Sequence, residues 1–286
     1  MRDDITVTIP ALDEEHRIGR ALASVLPQLR SDDRIVVVDD GSADQTFGIA
    51  EKFASKDSRI TVRRNRSPIG PAAVINEVLD ECDTAFLARQ DADDLSLPGR
   101  IAHQRRTLTQ SKRPGVAGCA YYQLDYIRDE YWAVFPSSSP AVIRRVLKER
   151  NAVNIGSALY ACKALQAVGG FDEKFGATEG YRLIQNLDHS GFEVQNVPFL
   201  GYLYLIGEGQ NRSQVDGSFR TRDLSMARAT SSVSAAALWS IYRFLPRKVQ
   251  LTLRSARSER NYVKLTQEQN AHISSYIAEV SSESSK

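Results

Sequence analysis

The chain has 286 residues, 42% of them hydrophobic and 25% charged, the composition of a soluble globular protein rather than a disordered or fibrous one. Thirty-seven Lys plus Arg oppose 35 Asp plus Glu, a formal charge of +2, so no overall field draws the chain to nucleic acid, which is not an expected partner. Three cysteines (Cys82, Cys119, Cys162) without a C-x-x-C spacing argue against a disulfide scaffold or a thiolate zinc site and fit a reducing compartment.

No apolar leader follows residues 1–4, and the longest uncharged windows, 194–207 and 229–242, run 14 residues each, too short to span a bilayer as a helix. A cytoplasmic location is the expectation. Strand and helix signals alternate through the first third. Residues 5–9 are β-branched and end at Pro10. Ile18, Leu22, Val25, Leu26 and Leu29 recur at helical spacing over 15–29. Residues 35–38 form a short apolar run of the kind covered on both faces of a sheet. Asp39-Asp40-Gly41-Ser42-Ala43-Asp44 then turns into a helix over 44–56. A strand at 60–63, a helix over 71–79 and a strand at 84–88 lead to a second acidic turn, Asp91-Ala92-Asp93-Asp94. Such repeats predict a mostly parallel sheet with right-handed crossovers, whose ligands gather at the carboxyl ends of the strands. Both acidic turns fall at such ends. Further on, 116–126 reads as a strand, 140–150 and 179–190 as helices, and 192–206 as two strands broken at Pro198. The last 70 or so residues carry no strand signal and read as helical, ending in a polar, disordered 281–286.

The acidic turns carry the chemistry. Asp91 and Asp93 stand at alternate positions leaving a strand, so both carboxylates can aim at one point. Two hard oxygen donors held together repel unless a cation lies between them, and Mg2+ or Mn2+ suits such a pair while keeping open positions for phosphates. A solvated acidic turn is the plainer alternative. Asp39 or Asp40 could accept hydrogen bonds from a ribose or a base edge, whereas Ser42 and Asp44 read more simply as helix caps. Neither a Walker lysine loop nor a Gly-x-Gly-x-x-Gly turn is present, which leaves phosphates to the metal. Tyr121, Tyr122, Tyr126, Tyr131 and Trp132 read first as core and second as a sugar-stacking subsite.

Four strings together resemble family-2 glycosyltransferases of the GT-A fold. They are Val7-Thr8-Ile9-Pro10-Ala11-Leu12-Asp13-Glu14-Glu15, then Val36-Val37-Val38-Asp39-Asp40-Gly41-Ser42-Ala43-Asp44-Gln45-Thr46, then Leu87-Ala88-Arg89-Gln90-Asp91-Ala92-Asp93-Asp94-Leu95-Ser96-Leu97-Pro98 with Arg100, and Gly169-Gly170-Phe171-Asp172-Glu173. The resemblance implies an α/β GT-A domain over 1–215, with a nucleotide-sugar half (1–115) and an acceptor half (116–215), followed by a helical extension over 216–280. It implies a nucleotide-diphosphate sugar donor, a UDP-sugar first, a divalent metal (Mn2+ or Mg2+), and inverting transfer to a carbohydrate or lipid-linked acceptor in envelope or exopolysaccharide assembly. It assigns donor contacts to Pro10, Ala11, Asp13, Asp39, Asp40, Asn76, Arg89, Asp91 and Arg212, and the metal to Asp91 and Asp93, with Asp93 the more direct ligand.

One departure matters. The family's base is an Asp opening the helix after the Gly-Gly-Phe-Asp segment, and Gly180 stands in its place in Ala177-Thr178-Glu179-Gly180-Tyr181. Glu179 is the first substitute and Asp172 the second. A donor-binding scaffold that does not transfer is the rival reading, and a nucleotidyltransferase, which would want a glycine-rich first loop, is a third. Between 217 and 264 ten basic residues face only Asp223 and Glu259, beside Leu238, Trp239, Ile241, Tyr242, Phe244 and Leu245. A basic amphipathic segment of this kind suits the inner face of an anionic membrane; a solvated face or a homodimer contact are the alternatives.

Overall fold

The structure, a computed structural model, describes residues 2–127, 129–207 and 261–284. Its centre is β1 (Ile5–Ala11), a run of β-branched residues with almost every side chain buried. Such a strand must be covered on both faces. On one side β1 pairs in parallel with β2 (Arg34–Asp39), and β2 with β3 (Ile60–Arg64). On the other it pairs in parallel with β4 (Phe86–Arg89). The crossovers run through α1 (Ile18–Val25), α2 (Thr46–Ala54) and α3 (Pro71–Asp80). Pro71 is tolerated in the first turn of α3, where its missing N–H has no helical partner to lose. Pro10 and Ala11 lie within β1 rather than in the loop after it, opposite Val38 and Asp39.

Beyond β4 the sheet becomes mixed. After β5 (Leu95–Ser96) and α4 (Arg100–Gln110) come β6 (Pro114–Asp125), β7 (Glu130–Phe135), α5 (Pro140–Leu147), β8 (Leu159–Ala161), α6 (Cys162–Ala167) and α7 (Glu179–His189). With β10 (Asn261–Lys264) at one edge, the strand order is β10-β7-β6-β8-β4-β1-β2-β3, with β9 (Glu193–Ile206) beside β6 and β5. Pro198 does not break β9. The register jumps from Cys119↔Val197 to Ala120↔Leu200, so Pro198 and Phe199 form a bulge, where a residue without an N–H disturbs no ladder bond.

The C-terminal segment departs most from the sequence expectation. β10 (Asn261–Lys264) is a strand, antiparallel to β7. The helix after it, α8 (Gln267–Ser284), includes residues 281–284, which were expected to be disordered. Its Ile273 and Val280 are buried with Ala23, Leu95, Leu124, Leu203 and Leu205 in a second apolar cluster. Tyr276 donates its hydroxyl to the Ser96 carbonyl at 2.8 Å. This helix therefore closes one face of the main body. The other residues of the expected helical extension, the basic run through Arg260 and the loop holding Arg212 lie outside the described residues. Among the described residues no helix is long and apolar enough to cross a membrane. Tyr121 is buried against Tyr202 and Val134, so it serves packing.

Candidate functional site

The two acidic turns leave β2 and β4, the neighbours of β1 on either side, at the same edge of the sheet. Asp39 pairs in register with Ala11, and Arg89 with Thr8. Two inter-strand spacings separate the turns, about 10 Å. In between runs the segment leaving β1, which carries Asp13, Glu14 and Glu15.

The β4 turn is built by buried polar side chains. Gln90 donates its amide to the carbonyls of Asp91 (2.9 Å) and Asp94 (3.0 Å) and accepts from Ser96 Oγ at 2.8 Å. Arg100, fully buried on α4, donates to the carbonyls of Arg89 (3.1 Å) and Ser157 (3.0 Å) and lies over the Tyr202 ring. The Asp91 amide donates to Tyr202 Oη at 3.2 Å. Asp94 turns inward and accepts from the Leu205 amide at 2.8 Å. The turn thus has a fixed shape that leaves Asp91 and Asp93 as the carboxylates not absorbed into the sheet.

Charge in this corner is unbalanced. Burial, then the neighbouring Asp91, push Asp93 up to about 6, against the pull of Arg17 and Arg89. Burial and Asp93 push Glu14 up to about 7, even with Arg17 hydrogen-bonded to it. Arg89, almost wholly buried, pairs with Asp91 (Nε–Oδ1 2.7 Å) and reaches Glu179 (Nη1–Oε1 3.6 Å). Burial works against its charge, but Asp91 and Glu179 hold it firmly protonated. Glu179, at the start of α7, is itself buried, and that burial raises its pKa while Arg89 opposes the rise. Arg89 therefore joins Glu179 to the Asp91–Asp93 turn. Among the described residues no three His, Cys, Asp or Glu side chains gather as a metal cage.

Gly180 has a local cause. A β-carbon there would lie 2.7 Å from Cγ1 and 2.8 Å from Cγ2 of Ile155, so Ile155 fills the space that a side chain at 180 would need. The next residue, Gly156, packs its backbone directly on the Asp91 carboxylate and leaves no room for a β-carbon either.

The β2 turn is the opposite case. Asp40 is buried, and both of its oxygens are taken. Asn65 Nδ2 donates at 2.8 Å and the Ile69 amide at 3.0 Å to Oδ1, and the Gly70 amide donates at 2.8 Å to Oδ2. Asp39, fully buried, accepts from the Ser42 amide and pairs with Arg64 at 3.0 Å. Asp13, with a left-handed φ of 55°, accepts from the Ala43 amide at 2.8 Å, while its own amide donates to Ser42 Oγ. The Glu14 and Glu15 amides donate to Thr46 and Asp44. These bonds staple the first loop to the β2 turn. Asn76 is likewise a clamp, with its amide donating to the Phe171 carbonyl and its oxygen accepting the Phe171 amide, both at 2.8 Å. Gly170, at φ +70°, passes so close that a β-carbon would meet Asn76 Oδ1 at 2.5 Å. Asp172 is exposed and bonds the Lys174 amide in its own turn.

Sequence reasoning assigned no role to Glu14, Gln90, Ile155 or Tyr202. Glu14 left a signal, an acidic pair at the tip of the central strand. Tyr202, 111 residues from the Asp91 amide it accepts, left none.

The family model described as glycosyl transferase family 2 matches residues 6–169, more than half the chain. The chain belongs to glycosyl transferase family 2. Among curated relatives, the succinoglycan biosynthesis protein ExoU of Rhizobium meliloti is 33% identical over 98 residues, 34% of this chain and 28% of that one. The UDP-Glc:alpha-D-GlcNAc-diphosphoundecaprenol beta-1,3-glucosyltransferase WfgD of Escherichia coli is 30% identical over 100 residues, covering 35% and 39%. The chain thus spans less than half the length of these relatives. The fold is GT-A. The mannosyltransferase PcManGT from Pyrobaculum calidifontis, solved with GDP-Man and Mn2+, superposes with a TM-score of 0.57 at 17% identity over 88% of this chain and 84% of that one. S. aureus TarS 1–349, solved with UDP-GlcNAc, gives 0.58 at 17% identity over 82% and 69%.

Proposed function

We propose that this family-2 chain transfers a sugar from a nucleotide-diphosphate donor to an acceptor hydroxyl, with inversion and with a divalent cation, in polysaccharide or envelope assembly. The observation that carries the reading is the gathering of Asp91, Asp93 and Glu14 at one sheet edge, where Arg89 pairs with Asp91 and Arg17 with Glu14 while burial and then Asp91 push Asp93 up to about 6. A pair of hard oxygen donors with surplus negative charge fits Mg2+ or Mn2+. Asp91 and Asp93 would hold the ion, which when bound neutralises the leaving diphosphate. Having only two protein carboxylates leaves coordination positions open for phosphate oxygens.

The chain's other residues frame the substrates. Asp40 shapes the 65–70 loop and Asp13 the 42–46 turn, and these two segments border the nucleoside side of the edge. The base acts directly on the acceptor. Glu179 takes its proton, with Arg89 orienting its carboxylate and burial raising its basicity. The fold of the comparison structures and the nucleotide sugars they were solved with support this class of donor. Glu179→Gln should lower transfer about 10²- to 10³-fold while leaving nucleotide binding intact; unchanged transfer removes Glu179 as the base. The packing of Ile155 over Gly180 favours a second reading, donor binding without transfer. In that case wild type and Glu179→Gln bind the donor equally and neither transfers.

A further inference from the structure

Cys82 and Cys162 meet at the other end of β4 from the acidic turn. Their Sγ atoms are 3.2 Å apart, with Thr84 Oγ1 3.1 Å from Cys82 Sγ. Thr84 is in turn bonded to Thr6 at 2.9 Å, so the two thiols sit on a buried hydroxyl pair. Cys82, just beyond the end of α3, is half-buried, whereas Cys162, the first residue of α6, is buried. The contact with Cys162 pulls the Cys82 thiol down to about 6 against the effect of its burial, in the direction that favours the nucleophilic thiolate. The same contact, and then burial, raises the Cys162 thiol. The third cysteine, Cys119, is buried elsewhere, against Ser157, and burial raises its pKa.

We propose that Cys82 and Cys162 form a thiol–disulfide exchange site that accepts a low-molecular-weight disulfide of the glutathione type and closes to a staple between α3 and α6. Cys82 is the entry thiol because it alone of the pair is reachable. Its thiolate attacks one sulfur of the incoming disulfide and expels a thiolate, forming a mixed disulfide on Cys82. Cys162 then attacks Cys82 Sγ and expels the second thiolate, with its proton passing to the departing sulfur. The chain loses two protons and two electrons, and the small disulfide gains them as two thiols. Closing from 3.2 Å to a bond of about 2.05 Å needs a shift of roughly 1 Å. The product links the end of α3, whose Asn76 clamps Phe171, to α6, which leads into Phe171. The staple therefore stiffens the segment running toward Glu179.

The test treats the reduced full chain with oxidised glutathione and then counts native thiols, intact mass and Tm. The expected result is a fall from three thiols to one, a mass lower by two hydrogens, a Cys82–Cys162 linked peptide, and a Tm higher by about 5 °C, reversed by dithiothreitol. Cys162→Ser should stop at a glutathione adduct on Cys82, and Cys82→Ser should not react. A wild-type end product that is a stable adduct or a disulfide-linked dimer overturns the proposal. So does reaction of Cys82→Ser at the wild-type rate, or no loss of thiols at all.

Discussion

The turns after β2 and β4 are both rich in Asp, lie at the same sheet edge and have opposite electrostatic fates. Asp40 receives hydrogen bonds from Asn65, Ile69 and Gly70 and is complete within the chain. Asp93 neighbours Asp91 and Glu14, and burial and then Asp91 push its pKa up to about 6. A saturated buried carboxylate positions its own chain, whereas acidic groups that outnumber the arginines beside them ask for a further positive charge from outside. A ligand belongs where the fold leaves acidic charge in surplus rather than at every acidic motif on this edge.

The largest effects come from substitutions in the two turns. Asp93→Asn should lower transfer roughly 10³-fold or more and abolish any Mn2+-dependent rise in Tm, because it removes charge the cation needs. In the metal-free protein the same change should hold or raise Tm, since it relieves repulsion. Asp40→Asn should do the reverse. It puts an amide N–H where the loop already supplies donors, and it should cost about 2 kcal/mol of stability, read as a lower denaturant midpoint with Mn2+ response per folded molecule retained. If both variants lower metal-free stability alike, the distinction between the turns fails.

The Gly180 corner gives an intermediate effect. Gly180→Asp should destabilise by about 1–3 kcal/mol through collision with Ile155, and pairing it with Ile155→Ala should restore part of that loss. Equal stability of the single variant and wild type would show that the packing is slack.

The smallest effect is the response to pH. Asp93 and Glu14 bind protons more tightly folded than unfolded, so the folded chain holds more protons between about pH 4 and 7. Their contribution to stability therefore falls as pH rises through about 6 to 7, by roughly 1–3 kcal/mol at most. Cation affinity should move the other way and rise over the same interval. Thermal melts from pH 5.5 to 7.5 check this, with the wild-type slope minus the Asp93→Asn slope isolating the group. No difference between the slopes contradicts the assignment.

The parallel half of the fold was legible because β-branched runs such as 5–9 and 35–38 end in turn-forming Asp and Gly, and period and punctuation agree. The bulge at Pro198 was not, because a proline between apolar residues reads alike as a break or a bulge. β10 is four residues without clear alternation, and α8 buries only Ile273 and Val280, too thin a stripe to reveal that it packs on the core. At the site, both acidic turns were legible from residue type and position. Their difference was not, because it rests on backbone amides at 69 and 70 and on Glu14 and Arg17, groups brought near only by folding. Asn76 shows the same limit, since its partner is backbone 95 residues away.

The most direct measurement is calorimetric titration of UDP, GDP, ADP, CDP and TDP into the wild type and Asp93→Asn, with Mn2+ and with EDTA. The account predicts that at least one nucleoside diphosphate binds the wild type with Mn2+, binds far more weakly in EDTA, and binds Asp93→Asn weakly in both. Binding of equal strength in EDTA, or a Mn2+ dependence that survives in Asp93→Asn, contradicts it.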